Sequence, residues 1–248
     1  MIHSAKAILN ADLQAMDGTI GRCDDFLFDD KFWTIRYMVA DTHKWLPGRK
    51  VLISPGTLQD WDWRADMLPV NLTREGIRQS PPLSSDMPVS RRYETQLVAH
   101  YGWYPYWEGP HAWGPVMTPF ADAATRPESI EAVETQGESH LRSVREVTGY
   151  HIQAVDDAIG HVEDFLAESL TWAIRYLVVD TRNWLPGRKV LVPPVWATTI
   201  DWKRSRLNVR VDRQTVEASP VYDKERPLTR DDELSLFKHY DAKPYWLE

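Results

Sequence analysis

The chain has 248 residues, 43% hydrophobic and 26% charged, with a formal net charge of -7. That length suits one large domain or two ordinary ones with a buried core, and the acidic balance weighs against a general nucleic-acid binder, which needs clustered Lys and Arg to neutralise phosphates. Cys23 is the single cysteine, which excludes an intramolecular disulfide and a thiolate metal cluster and fits a reducing, cytoplasmic setting.

The N-terminal "MIHSAKAILNADLQA" lacks a sustained apolar core and is not read as a signal peptide. No later apolar run approaches the ~20 residues of a bilayer span. From Ala15 onward the chain is written twice. Shifted by 139 positions, Ala15 falls on Ala154 and Trp107 on Trp246 without a gap, and about 40 of the 93 pairs are identical. Eight of the twelve tryptophans lie in matched pairs, so the duplication carries most of the aromatic content. Two long units, rather than many short ones, predict two domains that each close a core. The organisation expected is a first repeat with a helical tail over 1–107, a linker over 108–139, and a second repeat with a helical tail over 140–248.

Within the first repeat, Thr19–Asp29 and Trp33–Thr42 are rich in β-branched and aromatic residues and read as paired strands. "WLPGRK" follows. Its Pro47-Gly48 gives a fixed φ and then a residue tolerant of positive φ, the pattern of a type II turn. "KVLIS" leaves that turn as a strand. "TLQDWDW" and "MLPVNL" predict a second hairpin, and "TREGIRQSPP" a short helix stopped by proline. A terminal helix starts at Ser90, with Glu94, Leu97 and Tyr101 on one face. In 108–139, Pro, Gly, Ala and acids dominate; part of "PESIEAVETQ" suits a short helix, and Trp113 and Phe120 are expected to be pinned onto a barrel. The second repeat restates the pattern with Ala158–Glu168, Thr171–Thr181, "KVLVP", the hairpin "TIDWKR"/"LNVRV", the helix "DRQTVEASP", and a terminal helix capped by Thr229 with Asp232 in capping-box position. Five or six short strands per repeat imply a small antiparallel barrel.

Arg36 and Arg175 lie inside apolar strands, either as anion sites or paired with Asp25 and Asp164 or with Asp41 and Asp180; the ion pair is the expectation. Nothing in the sequence brings Asp25, Asp41, Glu94 or their copies to a shared substrate, and no phosphate loop or nucleophile elbow is present. His100 and His239 match between repeats without metal-ligand spacing, so packing or exposure is expected. Cys23, replaced by Val162, reads as an apolar strand residue. No enzyme activity and no cofactor is expected. The candidate interaction residues are Trp45, Arg49 and Lys50 with Trp184, Arg188 and Lys189 in the repeated basic loops. Tyr106 and Trp107 with Tyr245 and Trp246 in the "PYW" tails complete that set. For the loops a structural turn is favoured over a docking site, and for the tails a fold-back over the barrel end.

The order "DGTIGRCDDFLFD", "WTIRYMVADT", "WLPGRKVLISP", then a proline-ended helix, resembles the PRC-barrel family, named for the cytoplasmic domain of the photosynthetic reaction-centre H subunit. Both repeats match, over about three quarters of the chain, and "E..L..HY...PYW" resembles an extension of bacterial stand-alone members. The resemblance implies two tandem small antiparallel barrels. It also implies a non-catalytic protein-interaction or scaffold role, tied to reaction-centre or electron-transport assembly by the fold alone. The family also includes a ribosome-maturation factor, which gives the alternative of an RNA- or ribosome-associated processing factor. The expected partner is a protein, with the two repeats forming an intramolecular pseudo-dimer.

Overall fold

The computed structural model describes residues 1–43, 45–58, 67–83, 89–120, 140–181 and 188–247. Its strands are β1 (Ile2–Ser4), β2 (Asp12–Ala15), β3 (Gly18–Asp29), β4 (Thr34–Asp41), β5 (Lys50–Ile53) and β6 (Met67–Pro69). They continue with β7 (Leu141–Ser143), β8 (His151–Gln153), β9 (Ala158–Glu168), β10 (Ile174–Asp180), β11 (Lys189–Val192), β12 (Ala197–Asp201) and β13 (Arg206–Val209). The helices are α1 (Ala5–Ile8), α2 (Arg74–Gln79), α3 (Arg91–Tyr101), α4 (Val144–Val147), α5 (Arg213–Ala218) and α6 (Arg230–His239). The protein is mainly β, as the alternating patterns require. Among the described residues, no helix is long and apolar enough to cross a membrane.

The strands form two sheets. One runs β5-β4-β3-β2-β6 with β7 added on β3, the other β11-β10-β9-β8-β13-β12 with β1 added on β9. In both, the long strand hairpins onto the next, and the third joins antiparallel. The only parallel pairings described, β2 with β6 and β8 with β13, also match under the shift. The expected hairpin of the second repeat is β12–β13. In the first repeat "MLPVNL" contains β6 and Leu58 bridges antiparallel to Val70, while 59–66 lies outside the described residues; so does "PESIEAVETQ".

The chain divides into two compact units. The amino-terminal unit comprises Lys6–Arg145 and Ser169–Ala173; the carboxy-terminal unit comprises Met1–Ala5, Glu146–Glu168 and Ile174–Glu248. Each sheet thus receives a three-residue strand whose chain continues in the other unit. β7 pairs on the end of β3, Leu141 opposite Asp29, and β1 pairs on the end of β9, Ile2 opposite Glu168. Positions 2 and 141 differ by 139, so the addition follows the repeat.

A carboxylate fastens each added strand. Asp25 accepts hydrogen bonds from Ser143 Oγ, from Phe26 N at 2.8 Å and from Arg145 N at 3.0 Å. Asp164 accepts from Ser4 Oγ at 2.5 Å and from Phe165 N at 2.7 Å. Burial raises the Asp25 carboxyl above its usual range, against these hydrogen bonds.

The core of the amino-terminal unit lies along β3 and β4. Phe26, Leu27, Phe28, Ile35 and Met38 have no exposed surface, each contributing about 1.5–3 kcal/mol by burial. Cys23 is likewise fully buried, as an apolar strand residue should be, and burial drives its thiol pKa far up. At the hairpin tips Trp33 and Trp172 adopt φ of 50° and 58°, a conformation that bulky residues take only when packing enforces it. Trp33 stacks on Phe28 with ring centroids 5.4 Å apart, and Trp172 lies 6.0 Å from Phe26. A matched pair of glycines is dictated by close approach: a Cβ on Gly21 would sit 1.9 Å from the Asp41 carbonyl oxygen, and on Gly160 2.1 Å from that of Asp180.

The helical tails form where their caps predict. Ser90 accepts from Tyr93 N, and Thr229 with Asp232 makes a capping box. Glu94 and Leu97, like Glu233 and Leu236, are buried on the inner face. Trp113 is pinned as expected, 6% exposed with its indole N–H donating to the Thr171 carbonyl at 2.8 Å. Phe120 is not; it remains 42% exposed, beyond the last contact that holds Trp113.

Candidate functional site

The same cluster of charged and aromatic side chains is built in each unit. In the amino-terminal unit, Arg36 of β4 is 1% exposed and pairs with Asp29 at 3.3 Å. It also donates to the Ala112 carbonyl, and its guanidinium lies 4.1 Å from the Tyr106 ring centre and 5.0 Å from Trp113. Tyr106 O–H donates to Glu94 at 2.8 Å, and Arg91 pairs with Glu94 at 2.9 Å while lying 4.2 Å from Trp107. In the carboxy-terminal unit Arg175 pairs with Glu168 at 2.5 Å and lies 3.8 Å from the Tyr245 ring centre. Tyr245 and Tyr176 donate to Glu233 at 3.0 and 2.8 Å; Arg230 pairs with Glu233 at 3.1 Å and covers Trp246 at 3.8 Å. Every member but Ala112 and Trp113, which belong to the unrepeated segment, has its counterpart displaced by 139.

The expected partners of the strand arginines are therefore corrected. Arg36 and Arg175 pair with Asp29 and Glu168, at the far end of the neighbouring strand, not with Asp25, Asp164, Asp41 or Asp180. Asp29 and Glu168 differ in identity between repeats, so a search for identical pairs passes over them. Asp25 and Asp164 are engaged with the added strands.

Burial shifts this cluster. Loss of solvent raises the Glu94 carboxyl to about 7, opposed by Arg91 and by hydrogen bonds from Tyr106 and Tyr37. The Tyr37 and Tyr106 hydroxyls are pushed well above their ordinary value, by burial first and the Glu94 charge second. The Arg36 pKa is lowered by burial. A carboxyl that titrates near neutrality is suited to proton transfer. Glu94, however, has no exposed surface and is engaged by Tyr106 and Arg91.

The first basic loop is a turn with structural work, and of the second only Arg188 and Lys189 are described. Gly48 has φ of 74°, and Arg49 N donates to the Leu46 carbonyl at 3.3 Å, closing the Leu46-Pro47-Gly48-Arg49 turn. Arg49 donates to the carbonyls of Arg78 (2.7 Å) and Ser80, the end of α2; Arg188 donates to Ser219 at the end of α5. A guanidinium there satisfies terminal carbonyls and complements the helix dipole. Lys50 pairs with Asp24 at 2.7 Å, and Lys189 with Glu163. Trp45 is half-buried beneath Arg74, 4.7 Å from its ring centre. Trp184 lies outside the described residues.

His100 and His239 each place Nε2 against a backbone carbonyl of the short helix, Gly76 at 2.9 Å and Thr215 at 2.8 Å. Among the described residues no group of His, Cys, Asp and Glu is arranged to hold a metal. The tails fold back: Tyr106 is buried, and Trp107, Tyr245 and Trp246 are half-buried against their own units. The partners of the "PYW" rings were legible as repeated residues; that they converge was not.

Comparison with protein-family models and with curated proteins finds no match.

Proposed function

We propose that the chain is a non-catalytic protein-interaction or scaffold module of PRC-barrel type, in which two small barrels form a covalently linked pair. The reading rests on the repeated motifs and on one observation about surfaces. The tip of the β9–β10 hairpin, Ser169–Ala173, is part of the amino-terminal unit, where Ala173 bridges to Thr34 and Trp172 accepts from Ile35 N at 2.9 Å. Two hairpin tips thus stand together, and each holds out an apolar side chain: Phe32 and Leu170 are both 58% exposed. Apolar side chains held out on a rigid β scaffold suit protein contact. The repeated charged groups, by contrast, are engaged within their own units.

The alternative, an RNA- or ribosome-associated factor, needs a continuous basic face with stacking positions. The repeated Arg-Lys pairs do not favour it, since Arg49, Lys50, Arg188 and Lys189 are held by carbonyls and carboxylates. The test is affinity purification of the full chain from its native cells, beside a Phe32→Asp/Leu170→Asp variant with unchanged melting. A co-purifying protein lost from the variant supports the proposal. RNA recovered in its place, or a partner retained by the variant, overturns it.

A further inference from the structure

The amino-terminal unit holds a cavity of about 280 Å3, bounded by α3, the 3-10 turn Pro55–Thr57 and the unrepeated segment after Trp107. Its origin is visible by comparing the repeats position by position. Three lining residues, Gly56, Thr57 and Val98, stand where the second repeat has Val195, Trp196 and Phe237. The two aromatic ones pack. Trp196 is 9% exposed and sits edge-on to Tyr240 with centroids 4.3 Å apart; Phe237 is 6% exposed and lies 5.4 Å from Trp246 and 6.1 Å from Tyr245. The second repeat fills with two ring systems what the first leaves open. The third exchange has another use: a Cβ on Gly56 would sit 2.2 Å from the Pro119 carbonyl oxygen, so glycine admits the segment that walls the cavity.

Large-to-small exchanges in a core are destabilising where the space stays unfilled. Volume left open and ringed by aromatic faces matches a small-ligand site, at the lower edge of the usual range of about 300–1,000 Å3. The lining rings include Tyr101, Trp103, Tyr104, Tyr106 and Trp113, and Arg36 is the one charged lining group among the described residues. Its charge is already matched by Asp29, so a second anion finds no free counter-charge. A cation would meet the guanidinium and no carboxylate. Arg36 itself is 1% exposed beneath the Tyr106 and Trp113 rings, so it backs the aromatic wall rather than offering a donor to the cavity.

We propose that this cavity binds an uncharged planar aromatic compound, with benzamide as a soluble representative. Such a ring stacks on the aromatic wall and brings no charge that would have to be matched there. The experiment is an NMR titration of the full chain, labelled with 15N at Trp indoles, using benzamide, cyclohexanecarboxamide, benzoate and benzylamine. Benzamide is expected to shift the Trp103 and Trp113 indoles saturably, with the other three at least tenfold weaker. Thr57→Trp/Val98→Phe, which installs the second repeat's residues, is expected to abolish binding with melting kept or raised. Thr118→Trp, at the cavity wall, gives the same loss should the core variant misfold. Absence of saturable shifts, equal binding of any control compound, or binding that survives either folded variant overturns the proposal.

Discussion

Glu94 is a buried acid whose cost is spread over its neighbours. Its folded pKa of about 7 lies above its ordinary 4.5, so the folded state binds its proton more tightly than the unfolded chain. The stabilisation is full below about pH 4.5 and is lost as pH rises through about 7; the difference is on the order of 3 kcal/mol. Melting of the amino-terminal unit should fall between pH 5 and 8, and Glu94→Gln should flatten that slope; a slope unchanged in the variant would assign it elsewhere. The glycines separate two effects. Gly48→Ala meets no atom within 4 Å but forces φ of 74° on a side chain, for about 1 kcal/mol. Gly21→Ala drives a methyl into the Asp41 carbonyl and is expected to cost more than 3 kcal/mol, in the range of severe core damage. Denaturant titration of both variants ranks them; equal losses would refute the steric account.

The short strands are the elements least able to hold themselves. β7 pairs over three residues, and Asp25 is one of its side-chain anchors, through Ser143 Oγ and Arg145 N, beside the Arg142–Asp30 ion pair at 2.9 Å. Hydrogen bonds to a buried carboxylate carry about 1.5–3 kcal/mol. Asp25→Ala should therefore cost about 3 kcal/mol and speed amide exchange in Leu141–Ser143 before the rest of the sheet. Ser143→Ala, which leaves the backbone donors in place, should cost less. Uniform exchange across β3, β4 and β7 in Asp25→Ala would show that the strand has no separate anchor. The strands themselves were legible from alternation, and the helices from Ser90, Thr229 and Asp232. The role of Asp25 was not: its partner lies 118 positions away, and spacing along one strand carries no trace of it.

At the scale of the whole molecule, neither repeat is complete by itself. A fragment 1–107 lacks β7 and keeps β1, whose Ile2, His3 and Ser4 stand at the positions of Leu141, Arg142 and Ser143. An unpaired sheet edge recruits a matching strand. The fragment should associate through β1 rather than remain monomeric, and Ser4→Pro should suppress this by breaking the pairing. Sedimentation of the 1–107 fragment and its Ser4→Pro variant checks it; a well-folded monomer of 1–107 would overturn the account.

The sequence alone determined the duplication, the β class, the turn at Gly48, the helix caps and the apolar role of Cys23, because each rests on local stereochemistry or on self-comparison at fixed register. Only the tertiary structure decided which carboxylate each strand arginine meets, which unit each short strand completes, and where the tails come to rest. Asp29, Ser143 and Tyr106 reach their partners through sheet register and chain return. Those depend on how the whole core closes, a quantity that no window of the sequence contains.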